Sequence, residues 1–270
     1  MSAKVLTITS GKGGVGKTTA TANLSVALAA RGQRVVAIDA DIGLRNLDMV
    51  MGLENRIVYD LVDVVEGRCR LRQAMVRDKR LSDLYLLPAA QTRDKTAVQP
   101  EQMVEVCDML RADFDFVLID SPAGIEQGYR NAVEPADEAL VITTPEVSAV
   151  RDADRIIGLL EAAEKGSPRL IINRLRPEMV RRQEMLGIED VLDVLAVDLL
   201  GIVPEDEQVI VATNRGHPLA LNGQTPAGKA FGNIAARLLG EEVPFMSLAK
   251  EGLFGRIRRL FSSEAQGGEL

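Results

Sequence analysis

The sequence predicts a doubly wound α/β domain, a mostly parallel sheet with helices on both faces, plus a C-terminal amphipathic tail helix. Three observations predict it. Short apolar runs recur that are continuous rather than alternating, the pattern of strands buried on both faces. Segments with helical spacing lie between many of them. The first apolar run leads through a glycine-rich loop straight into the first helical segment. In chain order, residues 5–9 (VLTIT) form a strand, 19–31 a helix, and 34–39 (RVVAID) a second strand. Residues 84–87 make a third, followed by a helix over 102–110 and a strand over 116–120 (FVLID). A strand over 139–143 precedes a helix over 149–164. Strands over 170–173 and 199–203 follow, and then a helix over 225–239. Nothing before Gly240 reads as an interdomain linker, so residues 1–240 form one domain. Residues 241–249 are expected as linker, 250–262 as the tail helix, and 263–270 as a flexible end.

Composition narrows the function. Of 270 residues, 46% are hydrophobic, enough for one sizeable core, and 26% are charged, so wholesale disorder is not expected. A net charge of −7 argues against a protein that coats nucleic acid, which needs surplus Lys and Arg. No run of apolar residues is long enough to span a bilayer, and the N-terminus has no signal-like apolar core. Cys69 and Cys107 form no CxxC pair, which leaves no zinc or iron–sulfur framework and points to a reducing cytoplasm. His217, before Pro218 in NRGHP, reads as structural.

Gly11-Lys12-Gly13-Gly14-Val15-Gly16-Lys17-Thr18 matches G-x4-G-K-[ST] between a strand and a helix. Glycines let the backbone turn successive N–H groups towards one anion, and the helix dipole adds to the attraction. Lys17 is expected on the β- and γ-phosphates, and the Thr18 hydroxyl on Mg²⁺, with Thr19 opening the helix. Lys12 cannot readily serve the same phosphates. It is either a solvated loop lysine or one that reaches a nucleotide held by another subunit.

Carboxylates end two of the strands. Asp39 and Asp41 are spaced to project to one side of the chain, either towards the γ-phosphate and Mg²⁺ or as an ordinary acidic strand exit. Asp120 ends an apolar strand in the manner of a Walker B element, whose carboxylate holds Mg²⁺ through water. Gly124, in Ser121-Pro122-Ala123-Gly124, has the freedom a switch loop needs. Asn173 offers a donor and an acceptor side by side, suited to an adenine edge or to capping a turn. Pro204 and Glu205 stand where a loop could pack over the base.

The tail differs from the acidic body. Leu253, Phe254, Ile257, Leu260 and Phe261 fall within an arc of roughly 120° on a helix, with Arg256 and Arg258 flanking it and Arg259 opposite. Gly252 and Gly255 weaken that helix, so it should fold on a surface, and anionic lipid both accepts its apolar face and attracts its arginines. One such tail binds weakly. Two on a dimer gain avidity of about 10²–10⁴.

The loop GKGGVGKT, with the runs DADIGLRNLD, DSPAGIE and PEVSAVRDADRI and the basic tail, resembles the ParA/MinD family of P-loop ATPases over essentially the whole chain. The resemblance implies an ATP- and Mg²⁺-dependent ATPase that forms a homodimer on ATP. In that dimer Lys12 would cross to the partner's phosphates. Asp41 would orient the attacking water, Asp39 would support the metal's water shell, and Asn173 would read adenine. Glu146 and Asp152 would lie at the dimer edge, where partners are contacted. GLRNLD and the tail favour the septum-positioning branch. That implies peripheral residence on the cytoplasmic face of the inner membrane, recruitment of the septum inhibitor MinC, and release by MinE or an equivalent factor. DNA is not expected as the main partner. A ParA-like DNA-partition ATPase and a flagellar-number regulator remain the alternatives, while a metal-cluster carrier lacks its paired cysteines.

Overall fold

A computed structural model describes residues 2–245. The tail residues 253–261 lie outside the described residues. In chain order the elements are β1 (Lys4–Thr9), α1 (Lys17–Ala29), β2 (Val35–Asp39), α2 (Leu47–Met51), α3 (Leu61–Val65) and α4 (Leu71–Ala74). Next come β3 (Val76–Arg77), β4 (Leu84–Leu87), α5 (Pro100–Leu110), β5 (Phe116–Asp120), α6 (Gln127–Val133) and β6 (Glu138–Thr143). The chain continues through α7 (Val147–Ala162), β7 (Arg169–Leu175), α8 (Pro177–Arg181), α9 (Ile188–Leu195), β8 (Asp198–Pro204), α10 (Gln208–Asn214) and α11 (Pro226–Leu238).

The strands form one sheet in the order β3-β4-β2-β5-β1-β6-β7-β8. All neighbours pair in parallel except β3 on β4. Period-2 alternation divides the core. Leu6 and Ile8 of β1 and Val35 and Ala37 of β2 pack with α1, α2 and α11. Val5, Val36 and Ile38 face the other way, onto α3 and α5. Tyr129 of α6 joins α7 and α9 beyond them. Both faces are covered, which is why the strands read as continuous apolar runs.

Each expected strand is present, with ends shifted by a residue or two. The antiparallel β3 was not expected, because two residues carry no periodicity. The short helices α2, α3, α4, α8 and α10 escape for the same reason. Local capping marks α3, where the Asp60 side chain accepts from the Val62 and Asp63 N–H groups. The first helix begins at Lys17 rather than at residue 19, because Gly16, at φ 103°, is its N-cap and the phosphate-loop lysine is already helical. α11 starts on the Thr225 cap with Pro226 in its first turn. It ends in a Schellman motif: Gly240 has φ 84°, its N–H bonds to the Arg237 carbonyl, and the Glu241 N–H bonds to the Ala236 carbonyl.

Ion pairs stand at the N-terminal ends of the parallel strands. Arg111 makes a two-pronged contact with Asp137, which also accepts from the Val5 N–H at 2.7 Å. Arg34 makes a similar contact with Asp115. Glu138 pairs with Lys4 at 2.6 Å and with Arg169.

Candidate active site

The C-terminal ends of β1, β2 and β5 meet at the loop between β1 and α1. Register places Asp39 directly beside Asp120, and Ile8 beside Asp120 on the other side. Gly14 and Gly16 have φ of 78° and 103°, a conformation strained for any residue with a Cβ. At Gly16 a Cβ would also lie 2.4 Å from the Asn173 Nδ2. Small residues are therefore needed twice over at this point: for the turn and for the approach of β7.

Lys17 is buried, and its Nζ donates to the Ser10 Oγ at 3.0 Å. Ser10 in turn donates to the Lys12 carbonyl, so it ties the loop's first and second lysines together. Burial pushes the Lys17 pKa down, while the charges of Asp120 and Asp41 work against that shift. The cation lies at the N-terminus of α1, where the helix dipole also disfavours positive charge, so an anionic ligand would relieve both.

The carboxylates are in the opposite predicament. Asp120 is 2% exposed, and burial followed by the charge of Asp39 pushes its pKa up to about 8. Hydrogen bonds from the Thr18 and Thr21 hydroxyls and the charge of Lys17 offset only part of this. Burial likewise raises Asp39 to about 6, against backbone N–H donations from Asp41 and Leu47. Asp39 also accepts from the Asn46 N–H at 3.1 Å, so this carboxylate fixes the start of α2. Asp41 is raised by burial and opposed by Lys95 and Lys17. Among the described residues no cluster of three His, Cys, Asp or Glu side chains forms a ready-made metal cage. The donors present are the hard oxygens of Thr18, Asp39 and Asp120, and a divalent cation beside the two buried carboxylates would lower both raised pKa values. That donor set fits Mg²⁺, which takes few protein ligands and keeps water and phosphate oxygens for the rest.

Other sequence-predicted residues come together as well. The Lys12 Nζ lies 2.9 Å from the Ser148 Oγ and 3.4 Å from the Glu146 Oε2, at the start of α7. A Cβ on Gly11 would stand 2.1 Å from the Asp152 carbonyl oxygen, so loop and α7 touch there. Gly124 has φ 93°, and Ala123 beside it faces Gly13. Asn173 donates to the Val15 carbonyl at 2.7 Å and accepts from the Arg174 N–H, which leaves one N–H and one lone pair free. Beside it a cavity of about 180 Å³ is lined by Gly16, Thr19, Asn173, Pro204 and Glu205, with Phe231 among its apolar walls. A larger one, about 900 Å³, opens between the β6–α7 turn and the 174–187 segment and shares Arg174 and Glu205 with it.

Sequence reasoning missed Ser10, Thr21, Ser148 and Phe231. Thr21 was legible, since it lies one helical turn after Thr18 and therefore on the same face. The others carry no local signal.

The family model for the CobQ/CobB/MinD/ParA nucleotide binding domain matches residues 6–219. The chain belongs to that family. It is a P-loop ATPase of the ParA/MinD type. It is 57% identical to the septum site-determining protein MinD of Bacillus subtilis over 96% of this chain and 98% of that one. The fold is similar to that of the MinC:MinD cell division protein complex of Aquifex aeolicus, with TM-score 0.84, 49% identity, and 91% and 99% of the two chains covered. It is also similar to the Pyrococcus horikoshii MinD complexed with Mg-ADP, with TM-score 0.79, 32% identity, and 87% and 96% covered. No helix of the described residues is long and apolar enough to cross a membrane.

Proposed function

We propose that this chain is a cell-division ATPase that dimerises on ATP, lies reversibly on anionic membrane through its tail, and recruits a MinC-type septum inhibitor. The observation that carries the reading is the pairing of two lysines with different surroundings. Lys17 is buried among Ser10, Asp120 and Asp41, committed to the chain's own phosphate site. Lys12 is 39% exposed and held only at the surface, by Glu146 and Ser148. It is free to exchange those partners for a phosphate presented by a second copy.

In this reading Lys17 and the loop N–H groups bind the β- and γ-phosphates. Asp41 holds the attacking water, whose oxygen bonds to the γ-phosphorus as the bond to the leaving ADP oxygen breaks. Lys12 from the partner neutralises charge that grows on the transferred group, as an arginine finger does. A bound Mg²⁺, held through Thr18 and, by way of water, Asp120 and Asp39, supplies charge neutralisation on the phosphates. Asn173 and the cavity by Pro204 and Glu205 receive the base, and Gly124 lets its loop follow the γ-phosphate. Glu146 and Asp152 lie where a partner reads the dimer.

Co-sedimentation with anionic vesicles tests this. With a non-hydrolysable ATP analogue the full chain pellets; with ADP it stays in the supernatant; and Ile257→Glu removes the difference. Binding that ignores the nucleotide overturns the reading. Lys12→Ala keeps nucleotide affinity within about threefold yet loses dimerisation, measured by light scattering. ATP-stimulated turnover retained in that variant would refute the trans role. Binding to nonspecific DNA at low salt would support a DNA-partition reading instead.

A further inference from the structure

The root of the tail is held by one residue that the nucleotide chemistry does not use. α11 packs along β8 because Gly201 leaves room, since a Cβ there would stand 2.3 Å from the Ile234 Cγ1. Leu200 falls in a register shift between β7 and β8, an extra residue on the sheet's edge strand. Arg237, nearly one turn beyond Ile234, donates through Nη1 to the Leu200 carbonyl at 3.0 Å. Its Nε donates to the Val243 carbonyl and its Nη2 to the Pro244 carbonyl, both at 3.0 Å. The guanidinium also stacks over the Phe245 ring, 4.2 Å from its centroid. Among the described residues its polar partners are backbone carbonyls rather than carboxylates, and burial lowers its pKa. Three carbonyls and a ring face require a planar fork, which lysine cannot provide.

We infer that Arg237 is a positioning residue that clamps the segment 241–245 to the edge of the sheet and so fixes the point from which the membrane-seeking tail departs. This rests on the membrane reading of the tail given above. The segment expected as linker over 241–249 is therefore tied down for its first half. From Phe245 to residue 250 the chain reaches at most about 18 Å, whereas release back to Gly240 extends that to about 36 Å. Effective concentration falls roughly as the −3/2 power of tether length, so freeing the clamp lowers the second tail's contribution about threefold.

The chain contains no tryptophan, so Phe245→Trp introduces a single indole. In the full-length protein its fluorescence anisotropy is expected near that of the whole molecule, and Arg237→Met added to it should lower the value. Equal anisotropy in both overturns the clamp. In the same experiment series, the ATP-analogue dimer on vesicles of phosphatidylcholine and phosphatidylglycerol should bind about threefold more weakly with Arg237→Met, and Arg237→Lys should not rescue it. Inserting Gly-Ser-Gly-Ser between Phe245 and Met246 leaves the clamp intact and lengthens the tether, with an expected loss of about twofold. That insertion keeps the test available should Arg237→Met fold poorly. Unchanged vesicle affinity in both variants overturns the positioning role. Absence of vesicle binding by the unaltered chain overturns it together with the membrane reading, and the anisotropy result separates that failure from failure of the clamp.

Discussion

The two ends of the same parallel strands treat charge in opposite ways. At the N-terminal ends, the Arg34 side chain holds Asp115 below the ordinary carboxylate pKa. Burial works against Asp137, yet the Arg111 side chain and the Val5 N–H still hold it below that value. At the C-terminal ends Asp39 and Asp120 rise to about 6 and about 8, and Lys17 falls. The strands are alike in sequence character and pair in one register, so strand chemistry does not explain the contrast. Partners do. The first set is paired with opposite charge within the chain, while in the second burial and like charge outweigh the hydrogen bonds and charges that oppose them; in the proposed function, phosphate and a cation would supply the balance.

Breaking this comparison begins with the largest effect. Lys17→Ala should abolish ATP binding, seen by calorimetry, and reduce turnover by at least about 10³-fold, the scale of a lost charge clamp on the phosphates. Asp120→Asn should cost turnover about 10²-fold or more, yet stabilise the nucleotide-free protein at pH 8. The sign follows from linkage. A carboxyl at about 8 when folded, against an ordinary 3.8, keeps a proton that the unfolded chain has released, so its contribution to stability is lost as pH rises from about 4 to about 8. Melting curves of the nucleotide-free protein should therefore fall across that range and flatten in the variant. A steeper slope in Asp120→Asn would contradict the assignment.

At the other end, Asp137→Asn should cost about 1 kcal/mol in denaturant melts, a charge-assisted pair discounted for its exposure, and leave the KM for ATP unchanged. Arg34→Ala should shift the melting temperature least, near the resolution of the measurement, since its pair with Asp115 faces solvent. A turnover defect in either variant would show that the two ends are coupled after all.

Much of the site was legible because it is local. The run 11–18 holds the spacing of a phosphate loop between strand and helix, and Asp39 and Asp120 end recognisable strands. What could not be read is set by chain segments far apart. Ser148 meets Lys12 across 136 positions, and Asn173 meets Val15 across 158. The clamp of Arg237 was equally hidden, because a register shift in β8 has no sequence period.

By itself the sequence determined that the sheet is doubly wound, that the first loop has the spacing of a phosphate loop, and that acidic body and basic tail differ in kind. Each follows from periodicity, spacing or charge, quantities that near neighbours in the chain define. Only the tertiary structure decided that β5 lies between β1 and β2, and hence that Asp39 and Asp120 stand side by side. Burial in the assembled sheet raises both pKa values, and the adjacency of Asp39 raises that of Asp120 further; neither burial nor proximity of like charge is a property of one strand alone.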